Sequence, residues 1–289
     1  MAPSTVQVVS GLLGWSYMLC WAGSFYPQPI LNIRRKTTLG FSIDFAFLNI
    51  LGMASYATYN IALYSWPTVR REFAERYPSH PEPTVQLNDI VYASHGAILA
   101  VIIYSQFYPS LWGFTTTKGL KLSRVGLGLF WCCIVAILLA VLGVFVKPDS
   151  MSWSWLDVIY VLGNVKSFLT LVKYAPQAVL NFQRKSTVGM SILQFSMDLV
   201  GGILSLAQLF LDSASTGNWS AVSSNPAKFV LGNITVLFDL VFFYQHMVLY
   251  RGSRKVSSTG REDGENDPLL SSRADGPRQS GRGVADSRG

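Results

Sequence analysis

Seven long apolar stretches run through this 289-residue chain, at about 6–30, 41–64, 89–109, 122–146, 154–180, 190–212 and 227–250. Each has the roughly 20 residues that a helix needs to cross about 30 Å of hydrocarbon. Lipid offers the backbone no hydrogen-bond partners, so such a stretch must satisfy its own, and a helix does. The predicted fold is an all-α membrane protein with seven transmembrane helices in contact with lipid. Composition agrees, since half of the residues are hydrophobic and only 13% are charged, against about a quarter in soluble domains. A soluble enzyme is excluded on that ground. No nucleophile–base pair stands out, and neither a cofactor nor a nucleic-acid partner is expected. Cys20, Cys132 and Cys133 all sit in apolar runs, which suggests neither a disulfide framework nor a metal cluster. The N-terminus lacks a basic region and a cleavage site, so the first stretch reads as a retained helix and not a signal peptide. From Arg251 onward the chain is rich in Ser, Gly, Arg and Asp, the composition of a disordered tail.

Basic residues orient these helices. The connections after stretches one, three and five carry Arg34, Arg35 and Lys36, then Lys118, Lys121 and Arg124, then Arg184 and Lys185; with the tail they hold 16 of the 23 Lys and Arg. The positive-inside bias predicts a lumenal N-terminus and a cytosolic C-terminus. Asn218-Trp219-Ser220 is a glycosylation sequon in a loop that this topology places on the lumenal side, marking Asn218 as a candidate modified residue.

An internal repeat sets the architecture. Residues 27–43 read PQPILNIRRKTTLGFSI and residues 176–192 read PQAVLNFQRKSTVGMSI, with ten of 17 positions identical at an offset of 149. The repeated segments have the same orientation, which predicts two parallel three-helix units, residues 1–110 and 153–250, joined by a linker helix within 111–152, with residues 251–289 as the tail. Parallel repeats with interrupted helices are a transporter design whose site lies near the midplane. Pro27 and Pro176 each break a backbone ladder and are expected to act as hinges. Gln28 and Gln177 have donor and acceptor groups for the backbone freed there.

Charges inside a membrane are expensive, about 2.5–3.5 kcal/mol each, and need a reason. The predicted spans hold Asp44, Asp198, Asp239, Lys166 and Lys173, with Asp89 and Asp157 near lumenal ends. Asp198 lies mid-helix and its repeat mate is Asn49, a pairing expected of a position facing a shared central site in which one half took on protonation. Helical spacing aligns Lys166, Lys173, Gln177 and Asn181; Trp21, Phe25, Gln28 and Asn32; Asn49, Gly52, Tyr56 and Asn60; and Gln194, Asp198, Ser205 and Gln208. Each stripe fits a lined cavity, and equally interhelical hydrogen bonding, the reading preferred for Asn60, Ser205 and Gln208. Asp44, beside the first basic loop, is expected to anchor an ion pair with Arg34, Arg35 or Lys36. Lys166 is as readily structural as functional.

Two Pro-Gln pairs in equivalent helices, each followed by a basic loop, resemble the PQ-loop transporter family. The strings FYPQPILNIRRKTTLGFSIDF, LVKYAPQAVLNFQRKSTVGMSI, MDLVGG and FDLVFFYQH are similar to its cystine-exporting members over nearly all of residues 10–250. That resemblance implies proton-coupled export of L-cystine across a lysosomal or vacuolar membrane. It implies that Asp198, Asp239 and Asp89 exchange protons; that Lys173, Asn181, Asn49 and Asp198 contact the head groups of the substrate; and that Trp21 and Phe25 pack on its disulfide. Gln194 stands where close relatives have Asn. Alternatives on the same helical plan are a transporter of another amino acid and a sorting receptor of the KDEL-receptor type. In the tail, Glu265 precedes Leu269 and Leu270 at the spacing of an acidic dileucine signal, making a clathrin adaptor the expected cytosolic partner.

Overall fold

The structure, a computed structural model, describes residues 5–78, 81–83, 85, 87–117, 119–146, 153–216 and 226–251. Its regular elements are helices: α1 (Thr5–Gly23), α2 (Pro27–Arg35), α3 (Ile43–Ser65), α4 (Pro67–Arg76), α5 (Leu87–Ser105), α6 (Pro109–Trp112), α7 (Arg124–Val146), α8 (Trp155–Val172), α9 (Tyr174–Arg184), α10 (Ile192–Thr216) and α11 (Pro226–Tyr244), followed by a π-helical turn at Gln245–Leu249. Asn218 and the tail residues Glu265, Leu269 and Leu270 lie outside the described residues.

Proline divides the first and fifth apolar stretches. Pro27 opens α2, where its missing N–H costs nothing, and the chain turns through Ser24–Tyr26 just before it. In the second half the interruption falls at Lys173, between α8 and α9, three residues before Pro176. Both Pro-Gln helices end alike. Lys36 and Lys185 adopt the left-handed conformation at φ 51° and 50°, and each cap N–H returns to the last turn of its helix. The shared sequence therefore yields shared local geometry.

Four segments among the described residues are long and apolar enough to cross a membrane: Thr5–Arg35, Arg124–Val146, Trp155–Arg184 and Ile192–Ser215. Asp89–Ser105 and Val236–Leu249 are apolar but shorter. At 23 residues α3 is long enough, about 34 Å at 1.5 Å per residue. Its composition falls short because it carries Asp44, Asn49, Ser55 and Asn60, all of them buried in protein. A helix surrounded by other helices need not be uniformly apolar.

The two halves interlock. α1 packs along α10 and α3 along α8, while α3 with α5 and α10 with α11 pair within each half. Absent side chains permit two of these approaches: Gly201 receives the Trp21 indole and Gly52 faces Leu169. Toward the end that carries Arg34, Arg35, Arg184 and Lys185, here the basic end, both halves contribute to a plug that includes Phe41, Phe45, Phe107, Tyr174, Phe195 and Phe242. At the opposite end α4, which the apolar pattern does not predict, binds the start of α8. Arg76 Nη2 donates to Asp157 Oδ2 at 2.8 Å, and Glu72 accepts the Leu156 N–H at 2.7 Å. The Arg76–Asp157 pair is partly exposed and worth less than about 1 kcal/mol; it fixes position more than stability.

Asp44 departs from its expected role. Its Oδ1 accepts the backbone N–H of Ser123 at 2.9 Å, holding the start of α7 against α3, where the sequence predicts an ion pair with the basic loop. The N–H groups exposed at a helix start are a ready partner for a carboxylate, and the fold brings them to it.

Candidate functional site

A cavity of about 790 Å³ lies between the halves, walled by α1, α3, α5, α8 and α10. It runs from the interruptions in the first and fifth stretches toward the end opposite the basic one. At its floor the Lys173 ammonium donates to Asn49 Oδ1 at 3.1 Å and lies 5.2 and 5.0 Å from the ring centres of Phe45 and Tyr174. The Tyr174 hydroxyl donates to Asp198 Oδ2 at 2.7 Å. These contacts join α3 of the first half to the α8–α9 junction and α10 of the second. The helix interruption puts Lys173 and Tyr174 side by side over the floor, so the cation bonds Asn49 of the other half while the tyrosine beside it bonds the Asp198 carboxylate.

Trp21 and Phe25 line the α1 wall beside Met18. Tyr17 meets Trp21 edge-on at 5.0 Å, and Phe25 lies 5.8 Å from Tyr92. Gln194 lines the cavity too, and its buried Oε1 has no hydrogen-bond partner among the described residues, leaving an acceptor available to a ligand. Asp89 and Ser205 belong to the wall as well; for Ser205 this overrides the helix-contact reading. Gln208 keeps it, donating to Ser10 on α1, whereas Asn60 donates to the Tyr56 carbonyl within its own helix. Asp239 does not line the cavity. It is fully buried on α11, between Phe238 and Phe242 in sequence, and both of those rings pack on Tyr174. Neither of its oxygens has a hydrogen-bond partner among the described residues.

The Pro-Gln glutamines form a second feature, at the basic end. Gln28 Nε2 donates to the Gly189 carbonyl at 2.9 Å, and its Oε1 accepts the Ser191 N–H at 2.7 Å. In mirror fashion Gln177 Nε2 donates to the Gly40 carbonyl at 3.0 Å, and its Oε1 accepts the Ser42 N–H at 2.7 Å. Each glutamine thus satisfies the loop that follows the other half's Pro-Gln helix, where the sequence predicts service to its own broken helix. The backbone at the interruptions finds other partners: Ser24 N–H bonds the Cys20 carbonyl and Lys173 N–H the Leu169 carbonyl.

Asn32 and Asn181 extend this clasp. Asn32 Nδ2 donates to Gln106 at 2.8 Å and Asn181 Nδ2 to Gln245 at 2.9 Å; Gln106 and Gln245 in turn donate to the carbonyls of Pro29 and Ala178. The expectation that Asn181 contacts substrate is therefore corrected: it is wholly buried in the clasp and is not a cavity residue. Its spacing from Lys173 is that of a shared helical face, but the face continues past the plug. Gln106 and Gln245 escaped sequence reading because they are 139 residues apart, out of the register that aligns the Pro-Gln helices. Their third helices end differently, one at the turn before Pro109 and one in the π turn.

Comparison with known proteins gives this architecture its class. The PQ loop repeat family matches residues 9–69 and 158–217, the two segments that carry both Pro-Gln glutamines, the loops they bind and most of the cavity wall. The cystinosin homolog of Dictyostelium discoideum is 40% identical over 255 residues, 87% of this chain and 84% of the relative. Cystinosin of Bos taurus is 36% identical over 246 residues, 85% of this chain, which spans 64% of the bovine protein. The cystine transporter of Saccharomyces cerevisiae is 28% identical over 251 residues, 82% of this chain and 92% of the relative. The chain belongs to the PQ-loop family, in the branch of cystinosin and its homologues; these are transporters and not enzymes.

Proposed function

We propose that this protein exports L-cystine from an acidic organelle, lysosome or vacuole, to the cytosol, coupled to protons and by alternating access. The observation that carries the reading is the cavity at the repeat interface, where Lys173 and Asp198 offer both charges a zwitterionic head group needs. The relatives named for cystine supply the substrate. The proposed arrangement is seven helices as 3+1+3: two parallel bundles, residues 1–110 and 153–250, linked through 111–152, with 251–289 as a cytosolic tail. In this reading the basic end faces the cytosol and the N-terminus the lumen. The plug and the glutamine clasp then close the cytosolic side, leaving the cavity to the lumen.

The residues take the following parts. Lys173 and Asn49 hold one substrate head group with Gln194, while Trp21 and Phe25 pack on the disulfide. Asp198 exchanges the driving proton beside them. Asp239 and Asp89 serve the same cycle; Asp239, buried with no hydrogen-bond partner among the described residues, can exchange a proton without first breaking an ion pair. Protons and cystine drive the swing only if both favour the moving state differentially. Pro27, Gln28, Pro176 and Gln177 provide the flexure and the latch. Reconstitution into liposomes tests the whole: radiolabelled cystine should enter through the formerly lumenal face, faster with an inward proton gradient. No uptake, or uptake indifferent to the gradient, rejects the proposal.

Removing the Lys173 ammonium by Lys173→Ala is expected to raise the apparent KM for cystine about 10- to 100-fold, the value of a charge-assisted contact, at unchanged folded yield. A loss of yield with unchanged KM in the surviving protein would assign Lys173 to packing instead. For the tail, Leu269→Ala with Leu270→Ala should move the protein to the plasma membrane, so that whole cells in acidic medium take up cystine. Retention of the double variant on the organelle would place the clathrin-adaptor signal elsewhere than Glu265, Leu269 and Leu270.

A further inference from the structure

We infer that His95 is a positioning residue of the transport site: through the Tyr26 hydroxyl it holds the first helix interruption to α5 and so seats the Phe25 ring at the cavity. The inference rests on the cystine reading above and adds to it the group that places one of its aromatic contacts.

A histidine in an apolar span is expensive and needs a partner. His95 stands in the apolar segment Asp89–Ser105 of α5 and does not line the cavity. Its Nε2 shares a hydrogen bond of 2.6 Å with the Tyr26 hydroxyl. Tyr26 is the residue immediately before α2, where Pro27 restarts the first stretch. The bond therefore ties the interruption itself to another helix of the same half. Tyr26 belongs to the segment Thr5–Arg35, apolar enough to cross a membrane. In lipid no water competes for its hydroxyl, and breaking the bond strands two polar groups.

The same face of α5 builds the seat of Phe25. Tyr92, His95 and Gly96 follow the spacing that puts residues on one side of a helix. The Phe25 ring lies 5.8 Å from Tyr92 and meets His95 edge-on at 6.0 Å. Gly96 gives the ring its room: a Cβ there would stand 3.0 Å from Phe25 Cζ and would also strike the Met53 methyl. Phe25 and Tyr26 are neighbours in the chain, so fixing the Tyr26 hydroxyl limits how far Phe25 can swing.

The repeat gives the reason for such a pin. At the offset of 149, Phe25 matches Tyr174. Tyr174 fixes its own ring, since its hydroxyl donates to Asp198 at 2.7 Å. Phe25 has no polar atom with which to do this. In the first half the hydroxyl is carried by the next residue, Tyr26, whose mate Ala175 has none. Each interruption is thus held to a neighbouring helix by a tyrosine hydroxyl, to α5 in the first half and to α10 in the second.

The test is cystine transport by the purified full-length protein in liposomes. Tyr26→Phe and His95→Phe each remove the shared bond and keep a ring. Each should raise the KM for cystine about 2- to 10-fold, the range for one hydrogen bond, at near wild-type kcat and folded yield. Together they should do no more than either alone, because they delete the same interaction. His95→Gln, whose amide can donate or accept but cannot titrate, should restore the KM. On a Phe25→Ala background His95→Phe should change nothing further, because the ring it places is gone. Should His95→Phe fail to fold, Tyr26→Phe makes the same comparison. An unchanged KM with a lower kcat or yield assigns the pair to packing and overturns the inference. So does a Gln variant as impaired as the Phe variant, or an effect undiminished on the Phe25→Ala background. A wild type that does not transport cystine would instead reject the underlying function, a result distinct from all of these.

Discussion

Asp198→Asn is expected to abolish the proton-driven component of cystine uptake while leaving the fold in place. The carboxyl's hydrogen bond comes from the Tyr174 hydroxyl at 2.7 Å, and an amide oxygen can still accept that bond. The substitution preserves size and packing but removes the titrating group. Gradient-driven uptake should fall about tenfold or more, each factor of ten being about 1.4 kcal/mol of lost driving or transition-state stabilisation. Counterflow exchange of cystine at equal pH should persist. Unaltered pH-dependent currents in this variant would remove Asp198 from the coupling step. Asp239→Asn and Asp89→Asn should show weaker or pH-shifted defects, and if both behaved as the wild type the three-carboxyl scheme would be wrong.

The largest effect on stability is expected where the two basic-end loops cross. Gly40 and Gly189 have φ of 89° and 100°, which L side chains rarely adopt. A Cβ on Gly189 would land on the Leu39 carbonyl oxygen, and one on Gly40 would land on the Val188 carbonyl oxygen. Both obstacles are backbone, so no rotamer change relieves them, and the loops must separate. Separation would also pull Gly40, Ser42, Gly189 and Ser191 from the glutamines that bind them, leaving buried amides unpaired. Gly189→Ala should therefore cost about 3 kcal/mol or more. Gly128→Ala is the internal control, a glycine in α7 with open space around its Cα, where the same change should be neutral or slightly stabilising. Equal melting temperatures for the two variants in detergent would mean that the crossing is not packed as described.

What the chain alone determines is the local part of this protein. Helices follow from apolar length, because a backbone in lipid has only itself to bond. The interruptions near Pro27 and Pro176 follow from a missing N–H, and the matched left-handed caps at Lys36 and Lys185 follow from repeated sequence. Those interactions span four residues or fewer, so periodicity and spacing make them legible. Spacing also marks Trp21, Phe25, Asn49, Lys173, Gln194 and Asp198, which meet around one cavity. It cannot say where a shared face leaves the cavity and enters a plug, and so it could not separate Asn181 from Lys173. The clasp is beyond it for the same reason. Gln28 bonds residues 161 and 163 positions away, and a primary amide has no sequence pattern that tells one backbone partner from another. Asp44 turned to the start of α7, and Lys166 to the cavity, because packing decides which charged groups come within reach of each other. Electrostatics and hydrogen bonding act over a few ångströms in space, and only the folded chain sets those distances.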